Sequence, residues 1–254
     1  MNTTETQSPS TPGGNALLAD KVALITGASR GIGASLGEGA GDAQALEALA
    51  HAIRAAGGAA LAVPTDVGDP AAVERLVART LATYGRLDAA FNNAGAGHPP
   101  VALADITVDD WERSVRVNLT GVFLALKYEI PALDASGGGV IVNMSSTAGL
   151  SAKGGLAAYV AAKHGVIGLT ATAALDYAGR HIRVNAVAPG PILTSGLSRA
   201  SEAARAQVAA AVPIGRIGQP EEVAAAVVWL CSDAAAFITG ATLPIDGGRL
   251  AGSA

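Results

Sequence analysis

A glycine-rich turn follows the first apolar run of the chain and precedes a helical pattern. Residues 22–26 have the apolar, β-branched composition of a buried strand, and glycines stand at positions 27, 31 and 33. Since glycine lacks a Cβ, the backbone N–H groups of such a turn can approach a pyrophosphate at the N-terminus of the next helix. The spacing Gly-x-x-x-Gly-x-Gly differs from the commoner G-x-G-x-x-G, so an ordinary strand-to-helix turn is the alternative.

Short apolar runs alternate with helical patterns along the rest of the chain, which is typical of βαβ units and a parallel sheet. Strands are predicted at residues 22–26, 59–63, 89–92, 140–145, 182–187 and 242–245. Helices are predicted at residues 43–56, 70–84, 108–134, 156–179, 202–210 and 220–232. We therefore predict a single α/β domain at residues 19–254, built on a doubly wound, Rossmann-like parallel sheet. A disordered tail rich in Ser, Thr, Pro and Gly is predicted at residues 1–18.

Composition argues against several classes of protein. Lys plus Arg is 17 and Asp plus Glu is 21, which gives a net charge of −4, and no basic stripe points to nucleic acid. No apolar run reaches the roughly 20 residues of a membrane helix, and the N-terminus lacks the apolar core of a secretory signal, so we expect a cytoplasmic protein. The single cysteine, Cys231, excludes an internal disulfide and is predicted to be a buried, inert thiol. No Cys/His cluster has metal-ligand spacing, so no metal is expected.

Tyr159 and Lys163 are four residues apart in a predicted helix, so their side chains share one face. A free tyrosine hydroxyl has a pKa of about 10, and a neighbouring cation can lower that pKa by roughly 1–3 units. The pair could therefore exchange a proton with a substrate. Together with the glycine-rich turn, it indicates hydride transfer with a nicotinamide cofactor. A half-buried core tyrosine is the alternative for Tyr159.

The order of several motifs resembles the short-chain dehydrogenase/reductase family from about residue 21 to residue 248. Residues 26–33 match the family's Thr-Gly-x-x-x-Gly-x-Gly turn, and Tyr159 with Lys163 matches its Tyr-x-x-x-Lys pair. The other matches are Asn92-Asn93-Ala94-Gly95, Asn118 in a long helix, Ser146 before Tyr159, Pro189-Gly190 with Thr194, and Asp246-Gly247-Gly248. Each motif alone is common, whereas their shared order is specific.

The resemblance implies a catalytic set of Asn118, Ser146, Tyr159 and Lys163. In the family, the tyrosine supplies a proton to the substrate carbonyl oxygen as hydride arrives, which is general acid catalysis. Lys163 would lower the Tyr159 pKa and bind the cofactor ribose. Ser146 would donate a hydrogen bond to the carbonyl oxygen, and Asn118 would hold a water that connects Lys163 to solvent. Ser145 is the rival hydroxyl, but its spacing to Tyr159 is one residue too long.

The resemblance also implies the contacts of an NADP(H) or NAD(H) cofactor. They are Gly27, Ser29, Arg30, Gly31, Ile32, Gly33, Asp66, Val67, Asn93, Ala94, Gly95, Tyr159, Lys163, Pro189, Gly190, Ile192 and Thr194. Asp66 matches the position that contacts the adenine ring, with an Asx turn as the alternative. Arg30 could pair with a 2′-phosphate, which favours NADP(H), whereas a solvated loop arginine would leave the choice open.

The segment after Gly33 is shorter than this pattern requires. A dinucleotide fold normally continues into a second strand that ends in Asp or Glu about 20 residues beyond the glycines. No β-branched run lies between Gly33 and Gly58, and Glu47 falls inside a predicted helix. Three explanations are open: a deletion that moves residues 59–63 beside the first strand, residues missing from the sequence, or an unusual loop at residues 36–42 in place of the strand.

The resemblance places a substrate cleft beneath residues 192–212. The expected lining consists of apolar or small residues: Leu150, Leu156, Gly190, Leu193, Leu197 and Val208. Such a wall suits a moderately apolar carbonyl compound or secondary alcohol. His98 is in a loop that would border the cleft, where it could contact substrate or be solvated, while His164 and Trp111 are expected to pack in the interior.

We therefore expect an NAD(P)-dependent ketoreductase that interconverts a small-molecule ketone and a secondary alcohol. A reductase of 3-oxoacyl thioesters and a non-catalytic cofactor-binding scaffold or sensor are the alternatives. In the family, long helices such as those predicted at residues 108–134 and 156–179 pair subunits, which implies a homotetramer.

Overall fold

The computed structural model describes residues 17–29 and 43–252. Residues 1–16 of the predicted tail lie outside the described residues, as does the loop predicted at residues 36–42. The same holds for four predicted cofactor contacts, Arg30, Gly31, Ile32 and Gly33. The domain limits and these four contacts stay predictions.

Five parallel strands form a single sheet. They are β1 (Ala23–Thr26), β2 (Ala89–Asn92), β3 (Gly139–Met144), β4 (Ile182–Pro189) and β5 (Thr242–Ile245). The strands lie in chain order across the sheet, and every neighbouring pair is parallel. Thr26, Asn92 and Asn143 are in register, so the carboxyl ends of the strands meet along one edge. In open parallel sheets, ligands bind outside that edge.

Helices connect the strands, and most of them begin and end within two residues of their predicted limits. They are α1 (Ala43–Ala55), α2 (Pro70–Tyr84), α3 (Val108–Val115), α4 (Gly121–Ala135), α5 (Ala157–Tyr177), α6 (Ser195–Ser198), α7 (Glu202–Ala210) and α8 (Pro220–Cys231). A π-helical turn, Arg116–Thr120, joins α3 to α4 inside the predicted long helix. Asp69 accepts the N–H of Ala71 at the start of α2, and a capping box of Gln219 and Glu222 starts α8.

The helices cover both faces of the sheet. On one face, Leu24 and Ile141 of the strands pack with Leu133 of α4. On the other face, Val142 packs with Val227 of α8. Neighbouring residues of a strand point to opposite faces, which is why both Ile141 and Val142 are buried. The predicted doubly wound α/β class is therefore confirmed.

The strand predicted at residues 59–63 is wrong, because these residues have no regular secondary structure. Within the described residues, β1 pairs with β2 alone, and a cavity of about 530 Å³ lies between β1 and residues 59–65. A strand forms only where a neighbouring backbone supplies hydrogen bonds, so apolar composition is not sufficient. Residues 59–63 therefore lie across this cavity from β1 and form no hydrogen-bonded ladder with it.

Trp111 and Cys231 are both predicted to lie in the interior, and both are only partly buried. Trp111 of α3 is 40% exposed, contrary to the prediction of a core position, because Ser114 is the buried residue of that helix. Cys231 is half-buried at the end of α8, and desolvation raises the pKa of its thiol to about 12. The thiol therefore stays protonated near neutral pH, as predicted for an inert cysteine.

Candidate active site

The loops after β1 and β2 are joined by hydrogen bonds at the carboxyl edge of the sheet. Thr26 Oγ1 accepts the backbone N–H groups of Asn93 and Ala94, both at 3.1 Å. The Asn93 side-chain amide donates to the carbonyls of Thr26 and Gly27, also at 3.1 Å. Gly27 has φ +66°, and a Cβ there would lie 2.8 Å from Ala94 Cα, so the turn requires glycine. Asn93 and Ala94 thus fix the start of the predicted phosphate turn.

Ser146 and Tyr159 are in hydrogen-bonding contact. Ser146 follows β3, and its Oγ also accepts the N–H of Ala148 at 3.1 Å. The rival Ser145 is buried and donates to the backbone carbonyl of Lys163 at 3.0 Å. The Ser145 hydroxyl therefore fastens β3 to α5, which favours Ser146 as the hydroxyl available to a substrate.

Lys163 is buried beneath the Tyr159 ring. Its Nζ donates to the carbonyl of Met144 at 2.8 Å and lies 5.6 Å from the centroid of the Tyr159 ring. Burial lowers the pKa of Lys163 to about 8, because desolvation disfavours the ammonium form. The lysine is still mainly cationic at neutral pH.

The structure reverses the expected direction of the Tyr159 pKa. Burial raises the pKa of the Tyr159 hydroxyl above its ordinary value, and the hydrogen bond from Ser146 only partly opposes that rise. The sequence predicts that Lys163 lowers the pKa of Tyr159. It does not reveal that burial desolvates both the Tyr159 hydroxyl and the Lys163 ammonium. Tyr159 is accordingly a protonated acid in this state of the protein.

Asn118 lies in the π-helical turn and joins α3 to the loop after β2. Its Nδ2 donates to the carbonyls of Ala96 at 2.8 Å and Ser114 at 3.0 Å, and its Oδ1 accepts the Ala96 N–H at 3.1 Å. A side chain that bonds the carbonyl four residues earlier disturbs the regular helical ladder, which accounts for the π turn at this place. A Cβ on Gly95 would lie 3.0 Å from Asn118 Oδ1 and 3.6 Å from Lys163 Nζ, so the two side chains converge there.

The segment after β4 forms another side of the site. Gly190 donates its N–H to the Ile245 carbonyl at 2.9 Å, and Thr194 donates to the Ile192 carbonyl at 2.7 Å. Pro189 is the last residue of β4. Ile192 is buried on the face of the sheet where Val142 packs with Val227. These bonds hold the predicted nicotinamide-binding segment beside β5.

Asp66 adopts the Asx turn that was the alternative to an adenine contact. One carboxylate oxygen accepts the N–H of Gly68 at 2.9 Å, and the other accepts Arg116 Nη1 at 2.8 Å. The Arg116 hydrogen bond holds the pKa of Asp66 below its ordinary value. The following Val67 contacts Gly121, since a Cβ on that glycine would lie 3.0 Å from Val67 Cγ2. The adenine contact stays a prediction.

A cavity of about 730 Å³ opens beside Ser146 and Tyr159. Four of the predicted wall residues line it: Leu156, Gly190, Leu197 and Val208. Two others, Leu150 and Leu193, do not, and Leu150 is 41% exposed. The volume falls in the usual range of sites for small molecules, about 300–1,000 Å³.

Sequence reasoning missed the cationic and amide side chains of this cavity, and it placed His164 wrongly in the interior. Lys153, Gln207 and Arg249 line the cavity, whereas His98 does not. His164 is exposed rather than packed, and its Nδ1 lies 2.9 Å from the Val160 carbonyl. The position of Arg249 directly after Asp246-Gly247-Gly248 was the available signal for one of the three.

The described residues fit a nicotinamide dinucleotide along the carboxyl edge. Gly27 leaves no room for a side chain, and Ser29 and Val67 line the cavity beside β1. Tyr159 and Lys163 of α5 lie farther along the same edge, where Lys163 Nζ bonds the carbonyl of Met144 at the end of β3, two strands from β1. Among the described residues, no group of three or more His, Cys, Asp or Glu could hold a metal ion. In that same part of the chain, no helix has the length and apolar character to cross a membrane.

Comparison with known proteins agrees with this geometry. The family model described as enoyl-(acyl carrier protein) reductase matches residues 31–249. The chain is 44% identical to the cis-4-hydroxycyclohexanecarboxylate dehydrogenase of Sinomonas cyclohexanicum, covering 92% of this chain and 98% of the relative. It is 42% identical to the cyclohexanol dehydrogenase of Acinetobacter sp. (strain SE19), covering 90% and 94%. The crystal structure of levodione reductase gives a TM-score of 0.87 at 34% identity, covering 92% of this chain and 99% of that chain.

The family match spans most of the chain, and the relatives align over nearly their whole length. Those relatives are named as dehydrogenases and reductases of alcohols and ketones. The chain therefore belongs to the short-chain dehydrogenase/reductase family, and it is an NAD(P)-dependent oxidoreductase acting on alcohol and ketone groups.

Proposed function

We propose that the chain is a dehydrogenase of alicyclic secondary alcohols, with Asn118, Ser146, Tyr159 and Lys163 as its catalytic set. The observation that carries the proposal is the contact between Ser146 and Tyr159 above Lys163, at the wall of a cavity with both apolar and polar lining residues. The relatives named for cyclohexanol and for a hydroxycyclohexanecarboxylate support a ring-shaped substrate. Their substrates are free alcohols, so a 3-oxoacyl thioester reductase is not favoured.

The proposed chemistry divides the two hydrogens of the alcohol. A nicotinamide dinucleotide, which Gly27, Ser29 and Lys163 would help to hold, would supply the acceptor for the hydride of the carbinol carbon in oxidation and the donor of that hydride in reduction. During reduction, the protonated Tyr159 gives its proton to the carbonyl oxygen. During oxidation, Tyr159 first releases that proton to solvent, and its phenolate then takes up the proton of the alcohol hydroxyl. Ser146 donates a hydrogen bond to the same oxygen, where negative charge develops. Lys163 supplies a cation beneath the Tyr159 ring, which stabilises the phenolate once the proton has moved.

We also propose NADP(H) in preference to NAD(H), a homotetramer and a cytoplasmic location. Arg30 supports NADP(H) because a guanidinium in the glycine-rich turn can pair with a 2′-phosphate. Resemblance to the family supports the tetramer.

The test is a parallel fluorescence titration with NADPH and NADH, followed by oxidation of cyclohexanol with the matching oxidised cofactor. We expect tighter binding of NADPH and measurable formation of cyclohexanone. Tight binding without turnover of any alcohol would favour the scaffold or sensor. Binding of neither cofactor would contradict the enzyme assignment, because the segment after Gly33 would then have lost the adenine half of the site.

Substituting Ser146→Ala should lower kcat by about 10²-fold or more, because removal of one donor to a developing oxyanion has an effect of that size. Ser145→Ala is the matched control. It removes a buried hydrogen bond to the Lys163 carbonyl, so it should lower the unfolding free energy by about 1–3 kcal/mol and spare most of kcat. Steady-state kinetics of both variants measure the loss of kcat, and thermal melts measure the loss of stability. A larger loss of kcat in Ser145→Ala than in Ser146→Ala would reverse the assignment.

A further inference from the structure

Among the described residues, two cations and no carboxylate line the active-site cavity. Lys153 and Arg249 line it, Gln207 adds an amide, and the remaining lining side chains are uncharged. Seven ion pairs are recorded among the described residues, and neither Lys153 nor Arg249 belongs to any of them. In the described part of the chain, neither side chain has a hydrogen-bond partner either. The positive charge of this cavity is therefore uncompensated by the described protein.

Arg249 is held at the cavity by the turn that follows β5. The Asp246 carboxylate accepts the N–H groups of Gly248 at 2.9 Å and Leu250 at 2.8 Å. Asp246 is the acidic residue nearest to Arg249 in the chain. Its carboxylate stabilises the turn and makes no ion pair with Arg249. The carbonyl of Gly247 accepts a further bond, at 3.2 Å, from the segment after α7. The backbone around Arg249 is fixed while its guanidinium stays available.

Lys153 approaches the same cavity from the loop before α5. It precedes Tyr159 by six residues, and Leu156 between them contributes an apolar lining residue. Arg249 is half-buried, whereas Lys153 is exposed. A half-buried guanidinium beside apolar walls is the better anion site of the two, because its planar fork matches both oxygens of a carboxylate and desolvation strengthens the attraction.

We propose that the substrate is an alicyclic hydroxy acid, or the corresponding keto acid, and that its carboxylate binds Arg249. Lys153 adds a second positive charge near the mouth of the cavity. The apolar wall contacts the ring, and Ser146 and Tyr159 contact the hydroxyl or carbonyl oxygen. This assignment rests on the proposed function and specifies the class of its substrate.

The kinetic test compares 4-hydroxycyclohexanecarboxylate with its neutral analogue 4-methylcyclohexanol. The measured quantity is the ratio of their kcat/KM values. We expect the wild-type protein to prefer the acid, and Arg249→Gln to lower the ratio about tenfold or more, mainly through the KM of the acid. Lys153→Gln should lower it by a smaller factor. Arg205→Gln is the control, because Arg205 is an α7 cation outside the cavity lining that bonds the Ser198 carbonyl, and it should leave the ratio unchanged.

A binding measurement separates this inference from the proposed function. Cyclohexanecarboxylate lacks the reacting hydroxyl, so calorimetric titration of the purified protein with this acid reports the anion site without turnover. Binding that is lost in Arg249→Gln and kept in Arg205→Gln supports the anion site even if no alcohol is oxidised. Oxidation of 4-methylcyclohexanol as efficient as that of the acid, or acid binding that is indifferent to Arg249→Gln, overturns the anion site while the dehydrogenase assignment stands.

Discussion

Replacing Tyr159 with phenylalanine is expected to lower kcat by about 10²–10⁴-fold, the usual contribution of a general acid or base. The substitution removes one hydroxyl and keeps the ring, so the packing above Lys163 is retained. Burial raises the pKa of the Tyr159 hydroxyl in the free protein, and removal of that polar group should not destabilise the fold. We therefore expect an unchanged melting temperature and a Kd for NADPH within about twofold of wild type, since an effect confined to kcat marks an interaction made in the transition state.

Tyr177→Phe is the matched control for this experiment. Tyr177 ends the same helix α5 and its ring faces Arg180 at 5.7 Å, outside the active-site cavity. Its substitution should leave kcat and KM unaltered. If Tyr159→Phe kept wild-type turnover, the proton would have to be transferred by another group, and the catalytic set proposed around Tyr159 would be wrong.

The strands of the sheet could be predicted because their signals are local. Buried parallel strands are short apolar runs bounded by glycine, proline or polar residues, and β1 to β5 all begin and end within two residues of a predicted run. The start of α2 follows from Asp69 with Pro70. The distance along the chain from Ser146 to Tyr159 favours Ser146 as the catalytic serine, and the hydrogen bond of Ser145 to α5 supports this assignment, which stays a prediction.

The errors arose where the outcome depends on distant parts of the chain. Residues 59–63 have strand-like composition, but a strand needs a partner backbone, and none of the described residues supplies one. The Tyr159 pKa depends on how completely helix and sheet desolvate the phenol, which the four-residue spacing to Lys163 does not reveal. Lys153 and Arg249 are almost 100 residues apart in sequence, and only the order of the strands brings them to one cavity.

Glu129 is a further feature that the sequence did not reveal. It lies on the apolar helix α4, is almost completely buried, and accepts a hydrogen bond from Asn92 Nδ2 at 3.0 Å. The same Nδ2 also donates to Asn143 Oδ1 at 3.0 Å, and Asn143 Nδ2 donates to Thr170 Oγ1 at 3.0 Å. Asn92 Oδ1 is buried and has no hydrogen-bond partner within residues 17–29 and 43–252. Burial raises the pKa of Glu129 to about 7, and the hydrogen bond from Asn92 only partly opposes that shift.

The raised pKa of Glu129 makes the stability of the fold depend on pH. Because the folded-state pKa of about 7 exceeds the ordinary value of 4.5, the folded protein holds this proton more tightly than the unfolded chain. The resulting stabilisation is complete below pH 4.5 and is lost as the pH rises through about 7. The free energy of unfolding of Glu129→Gln, relative to that of wild type, should therefore rise by about 3 kcal/mol as the pH increases from below 4.5 to above about 7. The glutamine amide could also donate to the unpaired Asn92 Oδ1.

Urea unfolding at several pH values from 5 to 8 measures this gain, with Glu222→Gln as the control. Glu222 is an exposed carboxylate whose pKa is held at about 2 by Arg216, so its contribution is constant across that range. The difference in unfolding free energy between Glu129→Gln and wild type should grow with pH, whereas the difference for Glu222→Gln should be flat. A flat difference for Glu129→Gln would mean that Glu129 is already ionised in the folded protein at pH 5. The network of Asn92, Asn143 and Thr170 would then have to stabilise a buried charge, which its one recorded bond to that carboxylate does not explain.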